Sequence, residues 1–195
     1  MPSIDPFNWF PSSALSWLFA AAFLAWWLTE AIYLPQGKDS QRQLRDYGSR
    51  WINVTGVYVS VGLSFLVRWL GWGEANLLTQ SFGTALIVVG IIFRAWAILV
   101  LGRHFSVHVA IQQGHQLIVN GPYRWLRHPA YTGTLLTLMG LPIALGTMPM
   151  AAVVGTTFVL AHIYRIRVEE AAMVEKFGNA YSDYCSRTWR LFPGW

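Results

Sequence analysis

Charged side chains are scarce in this sequence, at 12% of 195 residues against about 25% in an ordinary soluble domain. So little charge cannot dress a water-facing surface, and the 54% of apolar residues must face lipid somewhere. Cysteine is nearly absent: the single Cys185 excludes an internal disulfide and a cysteine-rich metal site, and it is read as a packed thiol. No G-x-G-x-x-G follows a strand-like run and no Walker sequence is present. A Rossmann or P-loop nucleotide domain is therefore not expected. Residues 1–13 contain no Lys or Arg, so no basic region precedes the first apolar stretch. That stretch reads as a retained span rather than a cleaved secretory signal.

What the sequence has is long apolar runs. A membrane-crossing helix needs about 20 of them in succession. Residues 14–34 satisfy this with one charge, Glu30; 54–72 carry only Arg68, and 82–102 only Arg94. From 131 to 164 there is no Asp, Glu, Lys or Arg. As one helix that run would be about 50 Å long at ~1.5 Å per residue, too long for a ~30 Å hydrocarbon core. Pro142 and the stretch Gly146, Thr147, Met148, Pro149 break it, predicting a tight hairpin of helices over 131–145 and 150–165. The expected fold is all-α: a polytopic membrane protein of about five transmembrane helices, with a C-terminal helical hairpin and a short cytoplasmic helical segment. Residues 1–102 form an N-terminal three-helix region and 103–195 a C-terminal region, together one structural unit.

Of the 14 Lys and Arg residues, all but Arg68 and Arg94 lie between the runs or after the last. That is a membrane pattern and not the basic face of a nucleic-acid binder. Lys38, Arg42, Arg45 and Arg50 follow the first run; 73–80 carry none; Arg103, Arg124 and Arg127 follow the third; Arg165, Arg167, Lys176, Arg187 and Arg190 follow the last. The positive-inside rule then puts the N-terminus outside and the C-terminus in the cytoplasm. Arg68, near a span end, is expected to snorkel. Arg94 lies deeper and needs a partner, for which Glu30 stands at a comparable depth. The interfacial belt explains most of the 11 Trp residues, leaving Trp125 or Trp189 as the one to touch a ligand.

Polar residues concentrate at 103–131 and 165–195. His104, His108, His115 and His128 fall in the first block. His104 and His108 have the i, i+4 spacing of a zinc pair, but no nearby Cys, Asp or Glu completes a set, so no metal is expected. The turn Asn120, Gly121, Pro122, Tyr123 and the extended residue required before Pro129 place Tyr123, His128 and Tyr131 at the mouth of the hairpin. Arg165 and Glu169 share a helix face at i, i+4.

The stretch GPYRWL followed by RHPAYTG, with RIRVEEAAMVEKFGNAYSDYCSRTWRLFPGW further on, resembles the isoprenylcysteine carboxyl methyltransferase family, related to the membrane phospholipid N-methyltransferases. The likeness covers 103–195. It implies a multi-helix membrane enzyme that takes a methyl group from S-adenosyl-L-methionine. By motif, His128, Pro129, Ala130 and Tyr131 would line the cofactor pocket, with further contacts from Tyr123 and from His115, Gln116, Leu117 and Ile118. Glu169 matches the acidic cofactor contact, and Arg165 the arginine assigned to substrate and catalysis. His108 departs from the pattern, standing where eukaryotic members resemble a glutamine contact.

The donor has a sulfonium, an α-amino group and a carboxylate, so its binder needs fixed donors and an acid. A carboxylate acceptor is already anionic and needs alignment and water exclusion, not a base; Arg165 would hold it bidentately. The expected acceptor is amphipathic or lipid-like, most naturally a prenylcysteine carboxylate. A phospholipid amine, with His104 or His108 as base, and a small thiol are alternatives. A sterol-reductase-like NADPH oxidoreductase and a non-catalytic scaffold are the competing classes.

Overall fold

The computed structural model describes residues 13–33, 49–102 and 117–195. These form six α-helices: α1 (Ser13–Tyr33), α2 (Ser49–Trp69), α3 (Leu77–Leu101), α4 (Pro129–Ala144), α5 (Met148–Phe177) and α6 (Asn179–Cys185), with a 3-10 turn at Gly121–Arg124 before α4. The expected all-helical architecture holds, and among the described residues the only extended pairing is an isolated parallel bridge between Leu126 and Trp189. Two helices, α3 and α5, are long and apolar enough to cross a membrane. Only 28% of the apolar window of α3 is buried, and Leu78, Ile92 and Leu99 on it are exposed. Its outward surface is therefore fitted to lipid.

Helix boundaries follow local chemistry and correct two expectations. α3 begins at Leu77, ahead of the expected 82, because Asn76 caps it. The Asn76 side chain accepts from Thr79 N at 2.9 Å, and Thr79 Oγ1 accepts from Asn76 N at 3.0 Å, a reciprocal capping box. α5 does not stop at 165. It runs 30 residues in all, from Met148 to Phe177, and ends where Gly178 takes φ 56°, a left-handed angle that favours glycine. The run Arg165–Phe177 contains no breaker, and Arg165, Glu169 and Glu170 find partners outside the helix.

The hairpin of α4 and α5 forms as the breakers predict. Pro142 is accommodated within α4 two residues before the helix ends. Its carbonyl accepts from both Thr147 N at 2.8 Å and Thr147 Oγ1 at 3.0 Å, which satisfies the frayed end. Gly146 at φ 76° makes the turn.

α3 and α4 lie backbone to backbone through glycines. A Cβ on Gly140 would stand 2.6 Å from Gly83 O, and one on Gly133 would stand 2.7 Å from Gly90 O. Such small residues let helices approach closely without lipid between them. One apolar core then draws on five helices, through Phe19 and Trp26 of α1, Val61 of α2, Ile87 of α3, Leu138 and Leu141 of α4, and Val154 and Phe158 of α5.

The arginines of the second and third apolar runs are both anchored. Arg68 Nη1 donates to Gly73 O at 2.6 Å beyond the end of α2, so it closes a helix end as well as reaching the surface. Arg94 Nη1 donates to Thr134 Oγ1 across the α3–α4 seam. The proposed Glu30 partner has a side chain outside the described residues, as do His104 and His108.

Candidate functional site

At the end of the bundle away from the Gly146 turn, three separate stretches meet: the elbow entering α4, the last turns of α5, and the C-terminal tail. Pro129 occupies the first turn of α4 with His128 as N-cap, where a missing N–H costs nothing. The tail docks on the elbow through backbone. Arg127 N donates to Trp189 O at 2.7 Å, His128 N to Arg190 O at 3.1 Å, and Trp189 N to Trp125 O at 3.0 Å. Thr132 Oγ1 adds a bond to Leu191 O at 2.7 Å, and the Tyr184 hydroxyl donates to Tyr123 O at 2.8 Å.

Within this frame sits a compact ionic cluster. The Tyr131 hydroxyl donates to Glu169 Oε1 at 2.5 Å. Arg165 Nε reaches the Tyr131 oxygen at 2.7 Å and Glu169 Oε1 at 3.0 Å. His128 lies between two carboxylates, with Nδ1 3.5 Å from Glu169 Oε2 and Nε2 3.5 Å from Glu170 Oε1. Glu170 also takes Arg127 Nε and Arg190 Nε, each at 3.0 Å. Burial alone would push the His128 imidazolium toward neutrality, but hydrogen bonds to Glu169 and then Glu170 reverse the sign and hold its pKa above the usual 6.5. Tyr123 is pushed up by burial, and further by Tyr184 and Glu169, so its phenol stays neutral within electrostatic reach of Glu169.

Of the expected site residues, the fold brings His128, Tyr131, Arg165 and Glu169 into mutual contact. Pro129 and Tyr123 are buried beside them, and Ala130 is half-buried in the first turn of α4. Leu117 and Ile118 are half-buried on the irregular approach to the elbow. His115 and Gln116 lie outside the described residues. Trp125 and Trp189 are exposed.

Four groups at the cluster had no place in the sequence reading. Glu170, Arg127 and Arg190 pair only through the tertiary fold. His162 is buried on α5 against Phe158 and Tyr131. It did leave a signal, as the one histidine in the 131–164 run, three and seven residues before Arg165 and Glu169 and so on their helix face.

The cluster offers fixed donors and two carboxylates to a small ligand. Glu170 is engaged by Arg127 and Arg190, whereas Glu169 Oε2 meets His128 only at 3.5 Å. Acceptor capacity therefore remains on Glu169. Among the described residues no group of three His, Cys, Asp or Glu is placed to hold a metal.

Fold and site together define a helical membrane protein with a buried ionic site at one end of its bundle. The family model of isoprenylcysteine carboxyl methyltransferases matches residues 83–175. A probable protein-S-isoprenylcysteine O-methyltransferase of Oryza sativa subsp. indica is 27% identical over 89% of this chain and 98% of its own length. Protein-S-isoprenylcysteine O-methyltransferase A of Arabidopsis thaliana is 35% identical over 54% of each chain. Among solved structures, a eukaryotic intramembrane Ras methyltransferase, isoprenylcysteine carboxyl methyltransferase, shares the fold with a TM-score of 0.59 at 23% identity. That match covers 93% of this chain and 64% of the solved one, so this chain spans under two thirds of its length. Over these stretches the chain is similar to the isoprenylcysteine carboxyl methyltransferases.

Proposed function

We propose that the protein is an integral membrane methyltransferase that uses S-adenosyl-L-methionine and methylates an amphipathic or lipid-like acceptor, a prenylcysteine-type carboxylate by preference. The observation that carries this reading is the convergence of His128 and Tyr131 from the elbow with Arg165 and Glu169 from α5 on one set of hydrogen bonds. When bound, the cofactor supplies an electrophilic methyl group on sulfur. The chain's residues hold and align. Glu169 accepts from donor hydroxyl or amino groups, Tyr131 and His128 wall the pocket, and Tyr123, Pro129 and Ala130 shape its floor; by motif, His115, Gln116, Leu117 and Ile118 add cofactor contacts. Arg165 presents a guanidinium fork to the acceptor carboxylate. An anionic oxygen attacks without losing a proton, so placement and exclusion of water suffice.

Five helices crossing the bilayer suit this role, with the ionic site on the cytoplasmic side and the N-terminus outside. The basic residues Arg124, Arg127, Arg167, Lys176, Arg187 and Arg190 gather at the site end. Residues 1–102 and 103–195 act as one unit, since α3 of the first packs along α4 of the second. The donor reaches the site from water, and the acceptor reaches it from the bilayer between helices.

Incubating the full chain in nanodiscs with methyl-labelled S-adenosyl-L-methionine and an S-farnesyl N-acetylcysteine tests the reading. Base-labile label on the carboxylate is expected. Label appearing only on phospholipid amines or small thiols would reassign the acceptor, and selective binding of NADPH would remove the methyltransferase reading.

A further inference from the structure

We propose that His162 is a positioning residue whose ring holds the Tyr131 phenol in the orientation that bonds Arg165 and Glu169. Positions 158, 162, 165 and 169 of α5 recur at helical spacing on one face, so His162 lies one turn deeper in the bundle than Arg165. Its Nδ1 is 2.8 Å from Phe158 O. A carbonyl only accepts, so Nδ1 carries the proton, and both the tautomer and the ring plane are fixed. The ring lies on Phe158 with centroids 3.8 Å apart and planes 19° from parallel. Tyr131 packs on His162 with centroids 4.9 Å apart and planes at 64°. On its other flank Tyr131 stacks on His128 at 5.6 Å and 11°.

The Tyr131 ring is thus held between two histidines, one supplied by the elbow and one by α5. Its hydroxyl is the far end of the side chain, so a lean of the ring displaces that atom most. The hydroxyl makes the 2.5 Å and 2.7 Å bonds to Glu169 and Arg165, which leave little tolerance. Removing the His162 ring opens space beside Tyr131 and lets the phenol lean off both partners. The role needs an aromatic ring of this thickness at 162. It does not need a basic nitrogen, which separates it from a proton-accepting role.

The test uses the full chain in detergent or nanodiscs with His162→Ala, His162→Phe, Tyr131→Phe and the double variant His162→Ala/Tyr131→Phe. The kinetic arm rests on the proposed methyltransferase function. With an S-farnesyl N-acetylcysteine as acceptor, His162→Ala lowers kcat about tenfold while acceptor KM stays within about twofold, because alignment is lost and binding is not; His162→Phe recovers to within about twofold of wild type. The thermal arm needs no activity. The double variant loses less than the sum of the single losses, by roughly 2–4 °C in Tm. Strictly additive Tm losses, or His162→Phe as impaired as His162→Ala, would overturn the proposal. A wild type inactive on every acceptor would remove the functional reading, while the thermal cycle would still decide the role of His162.

Discussion

Tyr131 and Glu169, 38 residues apart in sequence, share a 2.5 Å hydrogen bond, and Arg165 Nε closes the triangle at 2.7 Å and 3.0 Å. Tyr131→Phe removes the hydroxyl and leaves Arg165 paired with Glu169. The fold should survive with a loss of about 1 kcal/mol. Donor affinity should fall by about tenfold, the equivalent of ~1.4 kcal/mol. Thermal unfolding and calorimetry read the two effects; a variant that binds donor as tightly as wild type would remove Tyr131 from the pocket.

Glu170 distinguishes its two arginines by burial. Arg127 and Glu170 have side chains 10% and 11% exposed, while Arg190 is 38% exposed. Arg127 also donates to Cys185 O at 3.0 Å. Breaking the buried pair with Arg127→Met should cost about 3 kcal/mol, against about 1 kcal/mol or less for the screened Arg190→Met. Comparing their Tm values checks the order, and equal losses would contradict it.

The glycine seam makes a contrast within one chain. A Cβ at Gly140 would meet Gly83 O at 2.6 Å and Ile87 N at 2.9 Å, whereas one at Gly62 on α2 would meet nothing within 4 Å. Gly140→Ala must push α3 from α4 and should cost about 1–3 kcal/mol. Gly62→Ala should be neutral or stabilising by about 0.5–1 kcal/mol. Tm of the two variants tests this directly.

His128 makes stability depend on pH. Its folded pKa is raised above 6.5 despite burial, by Glu169 and Glu170. The charged form therefore stabilises the fold fully below the unfolded value, and that contribution is lost as pH rises through the folded one. The Tm gap between wild type and His128→Gln should be widest below about pH 6 and narrow as pH climbs above the ordinary histidine range. A gap constant across that range would contradict the charge assignment.

Much of this was legible in the sequence, for identifiable reasons. Pro142 and Gly146 marked the hairpin because breakers act locally, and Arg165 with Glu169 marked a helix face because i, i+4 spacing does too. That Tyr131 would join them came from the motif resemblance, since no local rule links an elbow to a helix end 38 residues on. Glu170 had no role assigned from the sequence. Its place at the junction of elbow, helix and tail depends on Leu126 pairing with Trp189, a contact between stretches with no shared periodicity. The Arg165 and Glu169 spacing already carried a helix past 165, while its end at Gly178 was not read. His162 carried a faint signal in an uncharged run.

The most direct measurement is calorimetric titration of S-adenosylhomocysteine into the full chain in nanodiscs, wild type beside Glu169→Gln. Saturable binding near one per chain is predicted for wild type, weakened at least about tenfold in the variant and unaffected by NADPH. A wild type that binds no S-adenosylhomocysteine, or a Glu169→Gln variant that binds it equally well, would contradict the account.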